Sequence, residues 1–247
     1  MSIKREPHYI RSIYIIFRKE LMSYFNSPIA YIFIGAFLIV GNWLFFKTFF
    51  LLGQASLRPY FNLLPWLFMF LAPALTMRLW AEEKKMGTEE FLLTLPITGW
   101  QAVLAKFFSA LFFLMITLAL TFSLPLTVAS MGSLDWGPVV GSYVGAVLLG
   151  GAYLAIGVFI SSLTRNQIIA FIVSLAVCFV WFLIGEDLVV VGLPKFLVGI
   201  AQFIGLGQRF GSMARGVMDS RDFIYYGSLI GLFLWLNVKA LEARKWL

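Results

Sequence analysis

Four carboxylates and three bases fall within thirteen positions, from Arg78 to Glu90, in a chain of 247 residues of which only 13% are charged. The types decide which chemistry is open to them. The only histidine is His8, in the amino-terminal tail, so a histidine-based metal site within one chain is not expected. The only cysteine, Cys178, sits inside an apolar run and cannot form an internal disulfide. No HExxH, no serine–histidine pairing and no paired acids within the apolar runs are present, so catalytic and metal sites are expected to be absent. What remains is contact chemistry. A block this charged cannot lie in hydrocarbon, so it is a solvated element held against a membrane face, with Glu82, Glu83, Lys84, Lys85, Glu89 and Glu90 available for ion pairs.

The block also carries helix punctuation. Gly87 is a break, and Thr88 is placed to accept from the exposed amides of the next turn. Glu89 and Glu90 follow in the first turn, where acids favour the helix dipole. Phe91, Leu92 and Leu95 supply an apolar side, and Pro96 ends the element. Upstream, Arg78 to Lys85 can continue a membrane span past its surface. Residues 80–98 thus read as a short helix lying crosswise at the membrane face; the alternative is a solvated loop with ordinary caps.

The elements that must hold this block are apolar. The chain is 61% hydrophobic with a mean hydropathy of +0.90, against roughly a quarter charged residues in soluble domains. Runs of about 20 apolar residues cross a bilayer as helices. Six are expected, at 29–46, 60–79, 102–126, 138–161, 167–185 and 223–240, within one membrane domain over 1–247 and with no separate soluble domain. Residues 9–26 read as an amphipathic interfacial helix, with Ile10, Ile13, Tyr14, Phe17, Leu21 and Tyr24 on one face and Arg11, Arg18 and Lys19 on the other. Pro28 suits the first turn of the next helix. Five glycines between Gly141 and Gly157 would allow close helix contacts. The apolar run 196–206 is too short to cross, so 190–216 is expected as one or two short re-entrant helices on the outer face. A seventh span is the rival reading. No cleavable signal peptide is expected, since the first 27 residues hold five bases and no apolar core.

Orientation follows from the bases. With the amino terminus inside, thirteen of the 19 lysines and arginines lie on the cytoplasmic pieces and six outside (Lys47, Arg58, Lys195, Arg209, Arg215, Arg221). That bias puts both termini and the charged block in the cytoplasm. It also accounts for the net charge of +7 without nucleic acid. Within the spans, ionisable groups such as Lys47, Lys106 and Lys239 sit near boundaries, where long side chains snorkel. Asn42 and Asn237 are the most polar residues inside and are expected in helix–helix hydrogen bonds. No coupling-ion site is visible, so energy for any transport must come from a partner. No Gly-x-x-x-x-Gly-Lys-Ser/Thr loop occurs.

Glu82 to Glu90, followed by Leu95-Pro96, resembles the signature of ABC-2 type (type V) exporter permeases. Three further stretches resemble a narrower branch, the permeases associated with gliding motility and with nitrous-oxide-reductase maturation: Lys19 to Leu21 with Ser23 to Tyr31, Arg165 to Phe171, and Arg215 to Asp222. The four occur in the right order and span almost the whole chain. The resemblance implies an all-α polytopic membrane protein, in the bacterial cytoplasmic (inner) membrane. Its coupling region would be Glu82, Glu83, Lys84, Lys85, Gly87, Thr88, Glu89, Glu90, Phe91 and Leu92, docking on a separate ABC ATPase subunit. Thr164, Arg165, Asn166 and Gln167 would form a second cytoplasmic contact. Arg11, Arg18, Lys19 and Glu20 would lie on an elbow helix beside the ATPase. The resemblance implies no cofactor in this chain, with ATP and Mg in the ATPase, and pairing with a second or related permease. It also leaves open an extracytoplasmic auxiliary protein, to which ATP-driven motion would be passed without solute transport. The phenylalanine-rich spans would suit a lipid or a hydrophobic chain as cargo, and would equally suit ordinary lipid-facing packing.

Overall fold

A computed structural model describes residues 8–89, 97–192 and 194–243. All regular structure among them is helical: α1 (His8–Phe25), α2 (Pro28–Leu52), α3 (Arg58–Met86), α4 (Gly99–Leu120), α5 (Ser123–Met131), α6 (Trp136–Ser161), α7 (Gln167–Leu183), α8 (Asp187–Val190), α9 (Lys195–Ile204), α10 (Leu206–Ala214) and α11 (Ser220–Glu242).

Local chemistry sets the ends. Ser27 stands at the N-cap position of α2 without a side-chain capping bond, Pro28 fills its first turn, and α2 ends on Gly53 in the left-handed region (φ 60°). Asp135, Asn166 and Asp219 each accept from a backbone amide at the starts of α6, α7 and α11. Thr98 and Gln101 form a reciprocal capping box at the start of α4, a signal the sequence reading passed over. As expected, α3 runs past the apolar span into the charged block. Pro65 and Pro73, where kinks are expected, lie inside this one continuous helix. It stops at Gly87 (φ 72°), whose amide donates to the carbonyls of Glu83 and Lys84.

Among the described residues, five stretches are long and apolar enough to cross a bilayer: 30–51, α3, α4 with α5, α6 and α11. The remaining expected span, 167–185, is α7, which is apolar but only 17 residues long. Between α7 and α11, α9 and α10 have 10 and 9 residues and meet at Gly205, so neither can cross alone, against the seventh-span reading.

α3 and α6 form the centre. Their close approach is permitted by Gly157, where a Cβ would lie 2.1 Å from Thr76 Oγ1. α2 and α7 pack on α3, α11 and α10 on α6, and α1 on α4. The expected hydrogen bonds of the buried asparagine on α11 are not found: neither side-chain polar atom of Asn237 has a partner among the described residues.

Candidate functional site

Residues four apart on a helix share a face. On α3 the buried positions Thr76, Trp80 and Lys84 follow one another, with Leu79 and Glu83 beside them. The packed side of the apolar span therefore continues into the charged block, and Glu83 and Lys84 turn inward. Lys85, Met86, Gly87 and Thr88 are exposed, and Glu82 is half-buried. Glu89 is buried, with Lys84 Nζ 3.8 Å from its carboxylate. Thr88 Oγ1 donates back to the Glu83 carbonyl at 3.3 Å. Glu90, Phe91 and Leu92 lie outside the described residues.

The partner of Glu83 is a residue the sequence placed at a membrane boundary. Lys106 on α4 has no solvent exposure, and its ammonium sits 2.8 Å from Glu20 Oε1, 3.0 Å from Glu83 Oε1 and 2.7 Å from the Leu79 carbonyl. It donates hydrogen bonds to Glu20 and to the Leu79 carbonyl and pairs with Glu83 by charge. The Trp80 ring lies under the charge, 4.7 Å away. Lys19 on α1 closes the group at 3.1 Å from Glu83 and 3.7 Å from Glu20. Two bases and two acids make the cluster neutral, which burial demands. Partial burial works to lower the Lys19 pKa, but Glu20 and Glu83 outweigh it and hold the value above that of a free lysine.

α1 is anchored a second time one turn on. Tyr24 is buried, donates to the Leu75 carbonyl at 2.8 Å and stacks on Phe113, and the Arg78 guanidinium lies 4.5 Å over its ring. The face of α1 against the protein is Ile16, Glu20 and Tyr24, flanked by the half-buried Ile13 and Phe17. Ile10 and Tyr14, from the apolar side of the expected interfacial helix, are exposed, as are Arg11, Arg18 and Lys19.

The second predicted contact is joined to the first. Lys84 Nζ donates to the Ser162 carbonyl in the α6–α7 turn. Ser161 Oγ accepts from the Trp80 and Ala81 amides at 3.1 and 3.2 Å and donates to the Met77 carbonyl at 2.9 Å. Arg165 and Asn166 are exposed and Thr164 and Gln167 half-buried. Asn166 caps α7 through the Ile168 amide at 2.9 Å. All three predicted regions thus converge on the end of α3. Lys106, Ser161 and Tyr24, which fasten them, were not among the predicted site residues. No group of acids, cysteines and histidines able to hold a metal ion occurs among the described residues. The arrangement joins four segments beside an exposed charged corner.

Comparison with known proteins agrees in outline. The sequence profile of a family described as ABC-2 family transporter protein matches residues 14–234. No individual curated protein matches.

Proposed function

The chain belongs to the ABC-2 transporter family, and from that premise we propose that it is a permease subunit that takes its power stroke through the charged corner at the end of α3. Membership itself makes the chain an integral membrane component of a transporter, non-catalytic, with an ABC ATPase as its general partner. The finer reading is ours. Six spans cross the membrane: α2, α3, α4 with α5, α6, α7 and α11. At 17 residues α7 is about 26 Å long, a shortfall of a few Å that a bilayer absorbs cheaply. An even number of spans leaves both termini on one side, and the distribution of bases makes that side cytoplasmic. α1 lies in the inner interface, and α9 and α10 re-enter from the outer face.

The buried cluster of Lys106 with Glu20 and Glu83 is the observation that carries the mechanism. A load on residues 80–98 would otherwise bend one helix end. Here α1 and α4 are ion-paired to that end, and the α6–α7 turn is hydrogen-bonded to it. A push therefore tilts a block of helices, switching the membrane part between two packings of similar stability. ATP binding in two ATPases would supply the push to two permease chains lining a shared pathway. Because Glu83 and Lys84 are occupied internally, the exposed Lys85 is left for an outward ion pair, with Phe91 and Leu92 proposed as apolar anchor. Rim charges orient such a contact more than they tighten it.

Replacing Phe91 and Leu92 together with serine should abolish copurification of the ATPase while membrane insertion stays intact. Unaltered copurification would remove the anchor from the mechanism.

A further inference from the structure

Three hollows run end to end along α3, and together they have the polarity profile of a phospholipid site. The inner hollow, about 180 Å³, is lined by Tyr24, Ser27, Arg78, Glu82 and Gln167 among others. It shares Phe33 and Ala74 with an apolar groove of about 430 Å³ between α2, α3 and α7, walled by Phe37, Val40, Trp66, Phe70 and Phe171. That volume lies in the range of roughly 300–1,000 Å³ usual for small-molecule sites. Trp66 also borders the outer hollow, about 350 Å³, where Asn62, Glu186, Gln208 and Arg215 gather.

Spacing and charge narrow the occupant. From Asn62 to Glu82 is twenty residues of one helix, about 30 Å, which is the hydrocarbon thickness of a bilayer. The two polar mouths therefore stand at the two headgroup levels, with only carbon-rich wall between them. Each mouth offers one base and one acid: Arg78 with Glu82, and Arg215 with Glu186. A phosphate–ammonium headgroup complements such a pair, whereas a purely anionic headgroup would meet the carboxylate unfavourably. Arg78 is positioned for this. Stacking on Tyr24 engages the guanidinium face, leaving its N–H edge able to bind a phosphate, and no ion pair among the described residues uses Arg78 or Glu82.

We propose that this track is a binding site for a zwitterionic phospholipid of the surrounding bilayer, with one acyl chain in the apolar groove and the headgroup held at the inner mouth by Arg78 and Glu82. The inference rests on the membrane-subunit reading, but it needs no ATPase, so it can fail while the coupling mechanism stands.

The test uses the full chain purified without its ATPase and reconstituted in nanodiscs of equal parts phosphatidylethanolamine and phosphatidylglycerol. After mild detergent extraction, mass spectrometry reads the lipid retained per chain. The wild type should keep phosphatidylethanolamine over phosphatidylglycerol by about tenfold, the scale of one charge-assisted contact. Ala36 is exposed on the groove wall, so Ala36→Trp should fill the groove and remove retention without moving the melting temperature. Arg78→Gln should keep a chain in the groove and erase the headgroup preference. Retention at the nanodisc ratio, or retention unchanged in Ala36→Trp, overturns the proposal. So does a shift of Ala36→Trp from dimer to monomer with lipid unaffected, which would make the groove a surface between two copies.

Discussion

Lys106 shows how a single side chain can hold three helices together. A buried ammonium with three oxygens around it is stable as a set and costly to break. Lys106→Met leaves Glu20 and Glu83 buried beside Lys19 alone, and should destabilise the purified chain by about 3–5 kcal/mol, read as lost melting temperature. Combining it with Glu20→Gln and Glu83→Gln removes the stranded charges and should restore most of the loss. An additive triple variant would show that the three do not act together. Lys19 has a different signature. Its pKa is raised in the folded chain, so its contribution is complete below the ordinary lysine value of about 10.4 and is lost as pH climbs through the raised one. Thermal stability should therefore show no Lys19-dependent step between pH 6 and 9, and Lys19→Met should flatten the decline on the alkaline side. Because this side chain is largely exposed, that difference will be small.

Among elements, the contact of α3 with α6 sets how closely the centre can pack. A methyl at Gly157 would collide with Thr76 Oγ1, so Gly157→Ala should cost about 1–3 kcal/mol by overpacking. Thr76→Ala in the same chain should recover part of it, since Thr76 Cβ, 3.0 Å away, remains. The pair of short helices α9 and α10 has its own fastening. Asp222 on α11 is buried and accepts from Arg209 at 3.0 Å and Ser212 at 2.8 Å, both on α10, while Tyr226 donates to the Leu206 carbonyl at 3.0 Å. Asp222→Ala should raise amide exchange over 206–214 by about tenfold or more, the worth of a charged hydrogen bond, and leave α3 unchanged. Equal loosening of both would mean that α10 is not a separately held unit.

At the scale of the whole molecule, the mechanism requires the end of α3 and both termini to face the cytoplasm. Cys178 is buried, so a single added thiol reports cleanly. Lys85→Cys should resist a membrane-impermeant maleimide in intact cells and react once the membrane is opened; labelling in intact cells would invert the topology. What the residues alone determined is the order and class of the helices. Pro28, Gly87, Asn166 and the apolar runs act through local backbone geometry and hydrocarbon length, which need no knowledge of neighbours. The extension of α3 into the charged block was equally local. Tertiary structure alone decided which charges look outward. Glu82 and Glu83 are adjacent and chemically identical, yet one faces the solvent side and the other meets Lys106, because a helix turns about 100° per residue and its phase is set by what packs against it. The hint was present in Ile16, Glu20 and Tyr24, four apart on α1, and in the continuation of Thr76 and Trp80 to Lys84. It could not be read without partners, since a lysine at a span end looks the same whether it snorkels to water or is buried against two carboxylates 23 and 86 residues away in the chain.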